Sequence, residues 1–195
     1  MHRGGANLAR TVFSWFGEGN RNGETTGVKT MANTPIRNAQ QKLKVYVIAG
    51  SEDVGKSSVI HHLTGLQRTR VVELADTSGN GIGIYAKIQS LQEGDGISPQ
   101  DFIKEVTDKF KISKNFSVVM VALRTDTIYK ADIYIDEFIK AGWDIEYVAE
   151  LGIGPGNTGF LSLHSQNNKY NYKTFARATY INQLAAQVRN FFNLI

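Results

Sequence analysis

From Leu43 onward the chain alternates short apolar runs with segments of helical period, and this alternation predicts an α/β fold: three layers, a mostly parallel sheet and helices on both faces. LKVYVIAG reads as a buried strand, KSSVIHHLTGL as the helix after it, and TRVVELA as a second strand ending at Asp76. GIGIYAKIQSLQEG reads as weakly helical. SPQDFIKEVTDKFK reads as a helix capped by Ser98 with Pro99 at its first position. NFSVVMVAL is the third strand, YKADIYIDEFIKAGW an amphipathic helix ending near Gly142, and DIEYVAELG the fourth strand. TGFLSLH is expected as a short edge strand. YKTFARATYINQLAAQVRNFFNLI is expected as one long helix, with Phe175, Ala178, Ile181, Leu184, Ala185, Val188 and Phe191 or Phe192 on one face.

Residues 1–41 carry no such period. They are rich in Gly, Asn, Thr and Arg, and they read as a disordered basic and polar tail ahead of a domain spanning 42–195. The chain of 195 residues with 42% hydrophobic content suffices for one such domain. The absence of cysteine excludes disulfide scaffolds, thiolate metal sites and cysteine nucleophiles. No run approaches the roughly 20 apolar residues of a membrane span, so a cytoplasmic protein is expected. The net charge of +4 is scattered and reads as solvated surface.

One motif carries chemistry. GSEDVGKS, Gly50 to Ser57, fits GxxxxGK[ST] between an apolar strand and a helix, the context of a phosphate-binding loop. There the glycines let successive amides face an anion, and the helix adds its free amides and positive dipole end. Gly50, Ser51, Glu52, Asp53, Val54, Gly55, Lys56, Ser57 and Ser58 are therefore expected to contact a nucleoside triphosphate. Lys56 would neutralise the β- and γ-phosphates and the Ser57 hydroxyl would ligate Mg²⁺. Glu52 and Asp53 oppose anion binding, so their side chains are expected to point outward, or else to meet the base, a partner subunit or a catalytic water.

A second acid should hold the metal's water shell from a neighbouring strand end. Asp76 is the first choice; the other reading makes it a turn residue at a strand end. DTSG at Asp76 to Gly79 looks like the metal-binding DxxG of GTPases, but no NKxD guanine-reading motif follows, which favours ATP over GTP. In LRTDT, Asp126 and Arg124 form either a switch sensing metal and transferring phosphoryl group, or a solvated loop. GIGPGN, Gly152 to Asn157, lies where open α/β sheets bind ligands, and it reads as a turn or as part of a base pocket with Asn157 on the ring. His61 and His62 are adjacent in sequence and cannot share a helical face as a metal pair. Trp143 reads as core.

This order of elements around the loop, with VVMVALRTDT, the helix ending AGW and DIEYVAELG after it, resembles the ParA/MinD-like group of P-loop ATPases, which includes plasmid partition and stability proteins such as StbB and related mobilisation ATPases. The resemblance spans about residues 43 to 160. It implies a nucleotide-dependent homodimer whose ATP cycle positions a DNA or protein cargo. The group's KGGxGKT loop carries a first lysine that reaches the partner's phosphates; Ser51, Glu52 and Asp53 stand here in the K, G and G positions, so that trans-activation is missing. The functions left in view are a weakly hydrolytic ATP switch, a small-molecule kinase with 77–98 as lid and Arg68, Arg70 or Arg124 gripping an acceptor, and a nucleotide-binding protein without turnover.

Overall fold

The computed structural model describes residues 42–126 and 130–195; the tail expected at 1–41 lies outside them. Among the described residues six strands form one sheet: β1 (Lys44–Gly50), β2 (Arg70–Ala75), β3 (Gly81–Ser90), β4 (Val118–Arg124), β5 (Asp144–Leu151) and β6 (Asn171–Phe175). Their spatial order is β2-β3-β4-β1-β5-β6, with β2 alone antiparallel to its neighbour. Five helices accompany them: α1 (Lys56–Thr64), α2 (Pro99–Ser113), α3 (Ala131–Lys140), α4 (Ser162–Asn168) and α5 (Ile181–Phe191).

The central strands β1 and β4 are continuous apolar runs because both of their faces are covered. One face packs a cluster including Val45, Val47, Val119, Phe102, Phe138 and Trp143 beneath α2 and α3. The other packs Tyr46, Ile48, Met120, Val59, Leu184 and Val188 beneath α1 and α5. The result is the expected three-layer α/β arrangement. The core role of Trp143 is also met: its ring stacks on Phe138 at 5.2 Å between centroids. Ser98 caps α2 by accepting from the Asp101 amide at 3.1 Å, with Pro99 next in the chain.

Three elements differ from their sequence reading. Residues 81–90 are not helical but form the ten-residue strand β3, in which Ile82, Ile84, Ala86 and Ile88 face α1 while Tyr85 faces α2. TGFLSLH is no edge strand; its second half begins α4, which leads into β6. The expected long final helix is two elements, because residues 171–175 pair with β5 as β6 and the helix starts only at Ile181. No helix among the described residues is long and apolar enough to cross a membrane.

Candidate functional site

Five of the six strands run the same way, so their carboxyl ends share one edge: Gly50 lies level with Arg124 on one side and Leu151 on the other, and Leu151 with Phe175. The 50–57 loop opens at this edge. Gly50 has φ 151°, and a Cβ on it would stand 2.7 Å from Val54 Cγ2 and 2.9 Å from the Leu151 carbonyl oxygen. Gly55 occupies the cap position of α1 at φ 89°, a left-handed conformation that glycine adopts without strain. The loop therefore closes tightly, and no side chain caps α1. Apart from the turn over Glu52 and Asp53, which brings the Val54 amide back toward the Ser51 carbonyl, no acceptor among the described residues lies on the backbone amides of Asp53 or of Gly55 through Ser58. Donors gathered in this way at a helix start, which protein groups would otherwise satisfy, suit a polyanion.

Lys56 completes the cradle. Its side chain is only 4% exposed and arches back to donate to the Ser51 carbonyl at 2.5 Å. Burial lowers its pKa, and the charge of Glu93 is the first of the influences that oppose this. A small cavity of about 250 Å³ lies over the loop, walled by Asp53, Gly55, Lys56, Ser57, Ser58 and Glu93.

Glu93 was not among the residues picked out by the sequence. It follows β3, whose end Ser90 is level with Ala122 of β4, and so it comes to the edge that bears the loop. The signal was present in GIGIYAKIQS, where isoleucine and alanine recur at every second position. Reading that segment as helix hid the strand and the acid behind it.

Asp76 is a correction. β2 runs against β3, so its final residue pairs with Gly81, before the point where β3 meets the start of β4 and β1. Asp76 consequently sits at the amino edge, in a bridge to Leu194. At about 3.3 Å per residue, β1 alone separates that edge from the loop by about 20 Å, so Asp76 cannot serve a metal bound with Ser57. Its carboxylate instead accepts from the amides of Ser78 and Asn80, both at 2.8 Å, and from the Asn80 side chain at 3.1 Å. The Asn80 side chain is the main cause of its lowered pKa.

Arg124 and Asp126 do reach the loop. The Arg124 guanidinium, 15% exposed, donates to both carboxylate oxygens of Glu52 at 3.3 and 3.0 Å and to Asp126 Oδ1 at 3.1 Å. Asp126 Oδ2 accepts from the Glu52 amide at 3.0 Å. These bonds hold the Asp126 carboxyl below its usual range, with Arg124 the largest cause. Glu52 thus turns its carboxylate onto Arg124, and Asp53, exposed at φ 56°, stands on the wall of the loop cavity. Gln92 anchors the Arg124 backbone, accepting from its amide at 3.1 Å and donating to its carbonyl at 3.2 Å.

Two further features flank the loop. On the β5 side, Gly152 starts the GIGPGN turn, held by its amide on the Phe175 carbonyl at 2.9 Å. Behind it the buried Glu150 carboxylate, 1% exposed, accepts from the amides of Phe160 and Leu161 and from the Tyr172 hydroxyl. On the β4 side, a cleft of about 930 Å³ adjoins the loop through Asp126 and is lined by Gln92, Asp95, Ile97, Asp101, Tyr134 and Glu137, among others. Neither Arg68 nor Arg70 lines it.

Among the described residues no group of three or more His, Asp or Glu side chains is placed to hold a metal by itself. The Ser57 hydroxyl and the Glu93 carboxylate both line the loop cavity and are the groups there that would hold a divalent cation brought in with a phosphate ligand. The chain matches no protein-family model, and no curated protein matches its sequence.

Proposed function

We propose that this chain binds a nucleoside triphosphate with Mg²⁺, takes ATP in preference to GTP, and hydrolyses it slowly as a molecular switch. The observation that carries the reading is the run of open amides from Gly55 to Ser58 at the start of α1, closed over by the buried Lys56. Such a run attracts a polyphosphate through directed donors, and Lys56 supplies the mobile charge against the β- and γ-phosphates. The bound Mg²⁺ would neutralise oxygens between those phosphates, with Ser57 and Glu93 holding it in place of Asp76.

The charges divide the edge and so suggest how the ligand lies. Arg124, Asp126 and Glu93 gather on the β3–β4 side, which suits the terminal phosphate and metal, and leaves the neutral GIGPGN turn with Asn157 for the base. Arg124 would be the cation that stabilises charge on the transferring phosphoryl group. Ser51 stands where the ParA/MinD-like group carries its trans-acting lysine, which accords with slow turnover. The resemblance further supports a role in stability, partition or conjugative transfer of a plasmid or mobile element, with a nucleotide-dependent homodimer and a protein or DNA cargo.

A second reading draws on the large cleft beside Asp126. In a small-molecule kinase that space would hold a phosphoryl acceptor, and its acidic lining would suit a hydroxylated or amine-bearing one. Calorimetric titration with ATP and with GTP, in Mg²⁺ and in EDTA, tests the shared premise. Saturable, Mg²⁺-dependent binding at one site per chain is expected; heats that fail to saturate for both nucleotides would overturn it. Phosphate release without an added acceptor then separates the switch from the kinase.

A further inference from the structure

The acidic loop poses a physical question: why should a polyanion site carry Glu52? The geometry points to a latch, and we propose that Glu52 is a positioning residue whose carboxylate stands in for phosphate on Arg124, so that nucleotide must displace it before Arg124 can reach the ligand. The proposal rests on the nucleotide-binding reading and adds regulation of the same site.

Three contacts support it. Both Glu52 oxygens meet the two terminal nitrogens of Arg124, the paired geometry by which a guanidinium also takes a phosphate. The Glu52 amide, which lies in the loop, is already used by Asp126 Oδ2. Gln92 grips the Arg124 main chain through both amide and carbonyl, so exchange of partners involves the side chain alone. The Glu52 side chain is 65% exposed while that of Arg124 is 15% exposed. The carboxylate can therefore swing into water with little loss, whereas the guanidinium is held beside the loop by Asp126, near enough to Lys56 for its charge to oppose that of the lysine.

A latch differs from simple repulsion. Repulsion depends on charge near the ligand and is shared by Asp53; a latch acts only through Arg124. Full-length wild-type chain, Glu52→Gln, Asp53→Asn, Arg124→Met and the Glu52→Gln/Arg124→Met double variant would be titrated with Mg·ATP. Asn keeps the left-handed backbone that Asp53 adopts, so that control leaves the loop shape intact. Glu52→Gln should tighten binding by about fivefold, the upper range for releasing one exposed pair. Asp53→Asn should change it by less than about twofold, and the Glu52→Gln gain should vanish in the Arg124→Met background.

An equal gain from Asp53→Asn, or a gain that persists without Arg124, would replace the latch by general repulsion. Wild-type binding with no gain in Glu52→Gln would end the latch and spare the nucleotide reading. Failure of every chain to bind would end both. Unchanged circular dichroism spectra across the set establish that the variants share the native fold.

Discussion

The two edges of the sheet carry similar residues and opposite chemistry. At the amino edge Asp76 lies behind an apolar strand, bonded to the amides of its own turn and to Asn80. At the carboxyl edge Asp126 also follows an apolar strand, yet it reaches across to another loop and takes the Glu52 amide. Strand direction makes the difference. β2 runs against the sheet, so its end points away from the loop, whereas β3 brings Glu93 to it. An acid at the end of a strand is thus a candidate for phosphate chemistry only once the strand's polarity is known.

The largest effect that would break this comparison belongs to Lys56. Lys56→Ala removes the single buried cation of the cradle and should weaken Mg·ATP binding by more than about a hundredfold, as read by calorimetry. Binding within tenfold of wild type would mean that the carboxyl edge is not the anion site. Next comes Glu150, a carboxylate at the same edge whose part is structural. Its oxygens hold the Phe160 and Leu161 amides and the Tyr172 hydroxyl, and that phenol is kept protonated well above its usual range by burial, then by Glu150. Glu150→Gln replaces one acceptor oxygen with a donor facing these groups and should lower unfolding free energy by about 2 kcal/mol in urea titration. An unaltered midpoint would show that the turn does not depend on this clamp.

Glu93 sharpens the comparison further because its predicted effect changes sign. Removing its charge takes a repulsive carboxylate from the cavity, so in EDTA the Glu93→Gln chain should bind ATP somewhat more tightly than wild type. In Mg²⁺ it loses the acid proposed to hold the metal's water shell, and binding should weaken by about tenfold. A change of the same sign in both buffers would remove Glu93 from the metal role.

Much of the fold was legible in the sequence because its strongest signals are local. The buried run of β1, the Ser98 cap with Pro99, and the amphipathic α3 follow from period and capping alone. The tight turn from Gly50 to Ser57 between a strand and a helix was legible for the same reason. Pairing was harder to see. The five residues from Asp76 to Asn80 form a hairpin, which implies an antiparallel β2, but only for a reader who has already taken Gly81–Ser90 as a strand. β6 was hidden differently: Phe175 fits the helical spacing of Ala178 and Ile181, and no glycine or proline marks the break between strand and helix. The Glu52 and Arg124 contact joins residues 72 apart in sequence and belongs to tertiary structure alone.

Asp76 gives the smallest expected effect and the most specific test of edge against edge. Asp76→Ala should leave Mg·ATP affinity unchanged, since β1 stands between it and the loop, while the melting temperature falls slightly as the turn loses its acceptor. The pH dependence follows from its lowered pKa. A depressed folded value makes the ionised form stabilising, so the contribution is full above the ordinary carboxylate value of about 3.9 and disappears as pH falls through the lower folded value. Wild type and Asp76→Ala should therefore differ in melting temperature at pH 7 and converge in strong acid. An Asp76→Ala chain that folds normally but loses Mg²⁺-dependent binding would return the metal to this residue and remove the distinction between the two edges.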